Sequence, residues 1–539
     1  MNVRSLTLVT LGAFALTPAP ARASDYLDTW VTFTAADAHI RAEAEDGWPK
    51  FGFYEYTQPL SFFDQVEPAY EPVPMTRANL VLYRHAPGYL SGLDTEAALI
   101  SEYKVYHDPI DGRADQKLRE RGSYVRLSKY DDDNTLSGDA WDLTLWPFDS
   151  ERFVLGHSDY LQWGGRETWP SNSDLVPGFK LGRRSHQGDA LLYDGFVGMK
   201  SARVLNEDVN EQETYYGWLG GVGADVQKSI RLDISGAYFQ KGVLPPKGAT
   251  DENGDFILAG VPIQAWGVTG RAAYHLGSPI ARPVDFRLYK KDMFYLLEDM
   301  KAEQYESVNA VEIQSEITHL AQTLIDYDAP GSTTIQPAHA ADLNIKVKRG
   351  LWRFHGDGVY RSLSFILFNV PSLSPFYDFP DGEAPCTSDD PDCVNGVKDV
   401  GDPGAVTTDE LFFAVGAERQ LPRINMTPGL AFGYQVPATY TGLSPATEDG
   451  SSTLVVRDAG DFEILPAGAQ ALDILSARAS ARWQLSDMMW FVGETKYTLD
   501  YNQTKYDKEL GSNGTGVRVF DDPDVANRIS ITAMFQARF

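Results

Sequence analysis

The sequence predicts an all-β chain closed into one transmembrane antiparallel up-and-down β-barrel of about 16–18 strands. Three observations carry that expectation. Apolar and polar residues alternate strictly over segments of strand length; the connections between segments are by turns very short and very long; and the chain stops on an aromatic residue inside the alternation.

Residues 1–23 stand apart from the pattern. Arg4 precedes an apolar stretch from Leu6 to Leu16, and Ala21-Arg22-Ala23 offers a small-residue cleavage site. That layout predicts a secretory signal peptide, with the mature chain starting at Ser24 and forming one domain over 24–539. Two strand-like segments follow around Asn79–His85 and Ala97–Tyr106, and about sixteen more run from Ser123 onward. Tyr216, Trp218, Gly220, Val222 and Ala224 lead to Gln227-Lys228-Ser229, after which Ile230, Leu232, Ile234, Gly236 and Tyr238 alternate with Arg231, Asp233 and Ser235. Trp266, Val268, Gly270, Ala272, Tyr274 and Leu276 precede Gly277. Leu343, Ile345 and Val347 turn at Arg349-Gly350 into Trp352, Phe354, Gly356, Gly358 and Tyr360. Leu411, Phe413, Val415 and Ala417 turn at Leu421-Pro422-Arg423 into Leu430, Phe432, Tyr434 and Val436.

The end of the chain is the clearest part. Leu475, Ala477, Ala479, Ala481 and Trp483 are joined through Leu485-Ser486-Asp487 to Met489, Phe491, Gly493, Thr495, Tyr497 and Leu499, a hairpin with a tight turn. After a polar, Gly- and Asp-rich connection, Ile529, Ile531, Ala533, Phe535, Ala537 and Phe539 alternate with Arg528, Ser530, Thr532, Met534, Gln536 and Arg538. About 9–11 tilted residues cross a bilayer as a strand. An even strand count puts both ends of the barrel on one side, the side of the short turns.

Composition agrees. The chain is 43% hydrophobic and 12% aromatic with a mean hydropathy of −0.30, and it holds no run of roughly 20 apolar residues, which excludes a helical membrane protein. A barrel has this composition because only alternate residues meet lipid. A soluble β-sandwich or propeller also alternates, but does not pair a consistently apolar face with a charged one and then end on a bare aromatic. The net charge of −28 repels nucleic acid. The two cysteines, Cys386 and Cys393, are spaced for one local disulfide in an exported chain.

The signal peptide, the alternation and the terminal aromatic resemble a Gram-negative outer-membrane β-barrel of the porin-like class. Phe539, Phe535 and Ile531 are similar to the C-terminal signal that the barrel assembly machinery reads. The resemblance implies a place in the cell outer membrane, contact with outer-membrane lipid, and possible homo-oligomers. Trp146-Pro147-Phe148-Asp149-Ser150-Glu151-Arg152-Phe153 and Trp163-Gly164-Gly165 loosely resemble uncharacterised myxobacterial barrels, which implies no chemistry.

The wet faces carry the candidate site. Arg231, Arg271, Arg287, Arg353, Arg361, Arg478, Arg482, Lys496 and Arg528 fall there by alternation, with Asp233, Asp285, Asp357, Glu494 and Asp500. Charges on a wall select polar solutes by charge; charges paired across neighbouring strands merely fill a closed lumen. At this strand number an aqueous channel fits inside. The stretch 291–337 reads as a long loop with a helical pattern (Val308, Val311, Ile317, Leu320, Leu324, Ile325) dotted with Glu298, Glu303, Glu306, Glu312 and Glu316, either folded into the lumen or lying on its mouth. The acidic loop from Pro375 to Gly404 has the carboxylate density to bind calcium, or is a solvated anionic loop. Asp251-Glu252-Asn253-Gly254-Asp255 lacks the glycine and closing glutamate of a calcium loop and reads as an Asn-Gly turn. No cofactor or metal is otherwise expected.

The nine histidines are scattered and neither G-x-S-x-G nor H-E-x-x-H occurs, so no enzyme is expected. The function expected is porin-like: passive or weakly selective diffusion of small hydrophilic solutes. The alternative is a non-channel barrel acting as a surface adhesin or as the anchor of a surface or export machine.

Overall fold

The structure, a computed structural model, describes residues 28–37, 75–87, 92–107, 114–131, 139–158, 160–165, 168–169, 176–187, 191–206, 211–243, 261–277, 309–325, 332–368, 406–443, 451–456, 462–466, 468–486, 488–507, 517–521 and 527–539, with short pieces of 383–399. It is an all-β, closed antiparallel barrel of 18 strands. They are β1 (Asp28–Asp37), β2 (Met75–Pro87), β3 (Leu93–His107), β4 (Ala114–Glu120 and Tyr124–Tyr130), β5 (Ala140–Trp146), β6 (Gly178–Gln187), β7 (Leu191–Asn206), β8 (Glu211–Gln227) and β9 (Ile230–Val243). The second half holds β10 (Pro262–Leu276), β11 (Asn309–Ile325), β12 (Thr333–Arg349), β13 (Trp352–Arg361), β14 (Glu410–Arg419), β15 (Met426–Val436), β16 (Ile474–Ser486), β17 (Met489–Leu499) and β18 (Asn527–Arg538). The two segments of β4 continue one another along β3, with Ser101 opposite Glu120 and Ala98 opposite Tyr124.

Each strand pairs with its chain neighbour, and the ring closes between β1 and β18, from Trp30 opposite Arg538 to Asp37 opposite Ile531. The final residue is part of that closure: Phe539 N–H donates to the Thr29 carbonyl at 2.8 Å, and Thr29 N–H to the Phe539 carbonyl at 3.1 Å. Closure removes the unpaired sheet edges that would otherwise expose N–H and C=O groups. Strand β1 was absent from the expected set, since its alternation is short. The rim that holds Asp28 and Phe539 is here called the terminal rim.

The alternation sorts as expected. Val222, Leu232, Ile234, Val268, Phe354, Phe413, Val415, Leu430, Phe432, Trp483 and Ile531 point outward and are exposed. Arg231, Arg271, Arg361, Arg478, Arg482 and Arg528 point inward and are buried. The tight turns lie where the sequence placed them: Lys228 and Ser229 join β8 to β9, Gly350 (φ +60°) sits between β12 and β13, and a 3-10 turn, Pro422–Ile424, joins β14 to β15. Among the described residues no helix is long and apolar enough to cross a membrane.

One expectation is overturned. Within the stretch 291–337, residues 309–325 are strand β11 and 333–337 begin strand β12, not a helical loop. The near-helical spacing arose because β11 is apolar on both faces: Ile313 and Ile317 point outward, while Leu320 and Leu324 are buried inside. Residues 278–308, with Arg287, lie outside the described residues. So do Asp251–Asp255 and most of the acidic loop, including Cys386; of Cys393 only the backbone is described, in the short strand Cys393–Val394. No disulfide is found among the described residues.

Candidate functional site: a segment folded across the barrel

Strand β5 is only 7 residues long. Pro147 has no N–H for the ladder and ends it, and the chain turns into the barrel instead of rising over the rim. It returns through Pro177 to β6, where Gly178 faces Trp146. The infolded segment, 147–177, contains the two stretches that the sequence marked only by a loose likeness. Its described residues lie inside the lumen, a place the sequence offered to 291–337.

The segment is built as a small domain of its own. Ser150 N–H and Oγ both donate to the Val176 carbonyl, at 2.8 and 2.7 Å, and tie its two ends together. Farther in, Leu155 and Trp163 exchange backbone hydrogen bonds of 2.9 and 3.1 Å and close a tip over 156–162. Gly156 and Gly164 flank that bridge with φ of +92° and +79°, a backbone region costly for other residues. Trp146 stacks on Phe153, with centroids 5.0 Å apart and planes 4° apart. Phe153, Leu161, Trp163 and Trp169 are buried to 1% exposure or less.

The wall is moulded to receive it. On the inner face of β7, β8 and β10 stand Gly198, Gly217 and Gly267. A Cβ at these positions would collide with Phe153, with Phe239 beside Trp169, and with Leu320 beside Trp163, respectively. Phe239 on β9 sits edge-on to Trp163 and to Trp169, at 6.1 and 5.3 Å. The indole N–H groups are satisfied on the wall: Trp163 Nε1 donates to Thr269 Oγ1 and Trp169 Nε1 to the Gln240 carbonyl, both at 2.8 Å. Tyr160 reaches Phe412 on β14, 6.0 Å between centroids.

Two charged side chains pin the segment. Lys200, fully buried on β7, donates from Nζ to the carbonyls of Ser150 at 3.0 Å and Gly164 at 2.7 Å, one near the start of the segment and one at its middle. Glu316 on β11, four strands farther along the same side of the wall, accepts the backbone N–H of His157 at 2.8 Å and of Ser158 at 3.1 Å. Charge-assisted bonds of this kind are roughly twice as strong as neutral ones. Burial, with Arg271 and Lys346 nearby, holds the His157 imidazole well below its usual pKa.

The charges singled out by alternation lie on the inner wall around this segment. Arg231 Nη2 contacts Asp194 at 2.6 Å and Asp233 at 2.8 Å, and its Nη1 contacts Asp225 at 3.0 Å. Arg271 reaches Asp233 at 3.3 Å and Gln314 at 3.1 Å. On the other half of the wall, Glu418 accepts from Arg353 at 2.9 Å and from Arg482. Arg361 pairs with Glu410 at 2.8 Å, and Arg478 with Glu494 at 3.6 Å. Asp357 accepts from the Asn344 amide, and Lys496 lies opposite Arg478 on the neighbouring strand. Between the tip and strands β5–β9 is a cavity of about 60 Å³, with Asp142, Lys180, Arg184, Arg231 and Asp233 among its lining residues. Its size suits a few waters rather than a solute.

Phe539 and Ile531 are exposed on the outer face of β18, with Phe535 partly covered between them. Among the described residues no group of three or more His, Cys, Asp and Glu is placed to hold a metal ion. The sequence missed Lys200, Glu316 as an anchor, and the segment itself. The available signal was Trp146, Trp163 and Trp169 in a stretch without alternation, too apolar for a solvated loop.

No protein-family model matches the chain, and no curated protein does. Among solved structures it is similar to the outer membrane protein OprD of Pseudomonas aeruginosa, at 9% identity over 96% of this chain and 93% of that one, with a TM-score of 0.39. It is similar to OccD3 of the same organism at 7% identity over 95% and 91%, with a TM-score of 0.40. Salmonella typhi OmpF, solved with daunomycin, matches at 10% identity over 96% and 98%, with a TM-score of 0.34. None of these three is a myxobacterial barrel. The architecture rests on the chain's own strand pairing.

Proposed function

We propose that this chain is a porin-like channel of the cell outer membrane, passing small hydrophilic solutes by passive or weakly selective diffusion. The outward apolar residues of a closed sheet call for lipid, where no open edge is tolerated. On this reading the terminal rim is periplasmic, residues 1–23 are removed on export, and Phe539, Phe535 and Ile531 serve the assembly machinery. Most of the longer connections, 38–74 and 362–409 among them, then join strands on the outer side, while 277–308 joins them at the terminal rim.

The observation that carries the reading is the 147–177 segment. It lies inside the lumen as a separately folded piece, anchored by Lys200 on β7 and Glu316 on β11, with Tyr160 against Phe412 on β14. A piece so placed sets the cross-section of the barrel. The inward Arg231, Arg271, Arg353, Arg361, Arg478, Arg482, Lys496, Glu494 and Asp357, with Arg287, would then set ion preference along the wall. No chemistry is done on the solute.

A second reading has its own support. The described wall charges are buried and mostly paired with one another, as in a filled lumen. That favours a non-channel barrel serving as an adhesin or as the anchor of a surface machine. Single-channel recording of the refolded protein in a planar bilayer separates the two. Stepwise openings with an ion preference that shifts in Arg478→Gln support the channel. Silence from folded protein, persisting in a variant that frees the 147–177 segment, supports the anchor.

A further inference from the structure

We propose that the outer face of β12–β14 at the terminal rim binds the phosphate headgroup of an anionic glycerophospholipid. The proposal rests on the membrane-barrel reading but not on the channel. Arg349, Trp352 and Arg419 lie side by side on three adjacent strands, each the pairing partner of the next. All three point outward and are exposed, and the Arg419 guanidinium stands 5.3 Å from the Trp352 ring centre. Arg423, in the 3-10 turn that follows β14, is exposed on the same rim. No described residue places a carboxylate within ion-pair distance of Arg349, Arg419 or Arg423. In a chain with 75 acidic residues against 47 basic ones, three unanswered arginines together at one spot are unusual.

The barrel contains a second copy of the arrangement, and that copy shows what the first lacks. Lys129, Trp141 and Arg183 are paired in the same way across β4, β5 and β6. Arg183 again stands 5.3 Å from its indole. There, however, Asp131 answers the guanidinium through both oxygens, at 3.1 and 2.5 Å. A forked carboxylate and a phosphate make the same bidentate contact with arginine. An external phosphate at Arg419 would supply what Asp131 supplies at Arg183.

The neighbourhood specifies a lipid as the carrier of that phosphate. Trp352 stacks on Phe354, 6.1 Å between centroids, and Phe354 continues toward the exposed Val415 and Leu430 along the outer wall. An acyl chain lies along those side chains while the headgroup meets the arginines, with the indole at the boundary. A soluble anion would use only the charged half of the surface.

The test is the association of spin-labelled phosphatidylglycerol with the full chain in phosphatidylcholine bilayers, measured against spin-labelled phosphatidylcholine. Near a bilayer surface each arginine contributes on the order of 1 kcal/mol toward anionic lipid, so R349Q/R419Q/R423Q is expected to lower the preference for phosphatidylglycerol at least about fivefold. K129Q/R183Q is expected to leave it unchanged. Heat-modifiable mobility on gels verifies that each variant is folded, and R349K/R419K/R423K retains part of the preference if charge, rather than a folding defect, is responsible. An unchanged preference in the folded glutamine variant overturns the proposal. So does full displacement of the labelled lipid by inorganic phosphate, which would make this a free-anion site. The lipid readout needs no conductance, so a silent barrel that still selects phosphatidylglycerol sinks the channel and leaves this site standing.

Discussion

The two halves of the inner wall solve different problems. From β7 to β11 the wall is a mould: Gly198 leaves room for Phe153, Gly217 for Phe239 with Trp169 beside it, and Gly267 for Leu320 with Trp163 beside it. From β13 to β17 the wall is a charge ladder, in which Arg353 and Arg482 share Glu418, Arg361 takes Glu410, and Arg478 takes Glu494. Tyr160 against Phe412 is an aromatic bridge from the segment to that second half. A mould has meaning only with its occupant, whereas a ladder is complete between neighbouring strands. The mould should therefore respond to changes in the 147–177 segment, and the ladder should not.

The sharpest way to break this contrast is Trp163→Ala. A buried tryptophan reduced to alanine costs roughly 3–5 kcal/mol, and here the bond to Thr269 is lost as well. The segment is expected to leave its seat while the barrel stays closed. Limited proteolysis should cut within 147–177 with the heat-modifiable barrel intact; loss of the barrel itself would show that the two halves are not independent.

Next in size is Arg361→Met. It leaves Glu410 buried with only Gln435 to answer it, at 2.7 Å, and should cost about 3 kcal/mol of barrel stability. R361M/E410M together should recover most of that loss, because the buried pair is removed whole. Urea unfolding of both proteins in vesicles measures it. A double variant as unstable as the single one would mean that the ladder holds more than its own pairs.

Why one half was legible and the other was not follows from the same contrast. Alternation alone located Arg231, Arg353, Arg361, Arg478 and Arg482 on inward faces, because each strand reports its own period. The turns after Gln227, Arg349 and Arg419 were legible from Gly, Pro and polar punctuation. The mould was not, since a glycine on an inward face looks like any other and its partner lies far away in sequence: Gly267 meets Trp163, and Glu316 meets His157. Strand β11 shows the cost, for Leu320 is apolar inside where it joins the core that the segment's aromatics form, and this helped a strand resemble a helix.

Glu316→Gln gives a smaller effect. It keeps the shape and one acceptor oxygen, but weakens the bonds from the His157 and Ser158 N–H groups, for about 1–2 kcal/mol. In single-channel records the opening frequency should rise about tenfold with unitary conductance little changed, while urea stability of the barrel holds. Unchanged gating would move the anchor to Lys200.

The smallest effect is that of pH on the same tip. Seated, His157 has its pKa held well below 6.5 by burial and by Arg271 and Lys346; released into water, it returns to about 6.5. The released segment therefore binds the proton first. Seating is at full strength above pH 6.5 and weakens as pH falls below it, toward the seated value, by at most about 1.4 kcal/mol per unit. Openings should become more frequent between pH 7.5 and pH 5.5, by no more than about tenfold per pH unit. His157→Gln removes the proton acceptor and keeps the backbone N–H that Glu316 uses, so the histidine's share of the pH response should be lost in that range. If H157Q keeps the full pH response, another group titrates, either Glu316 directly under the tip or a carboxylate of the charge ladder, and only the second would break the independence of the two halves.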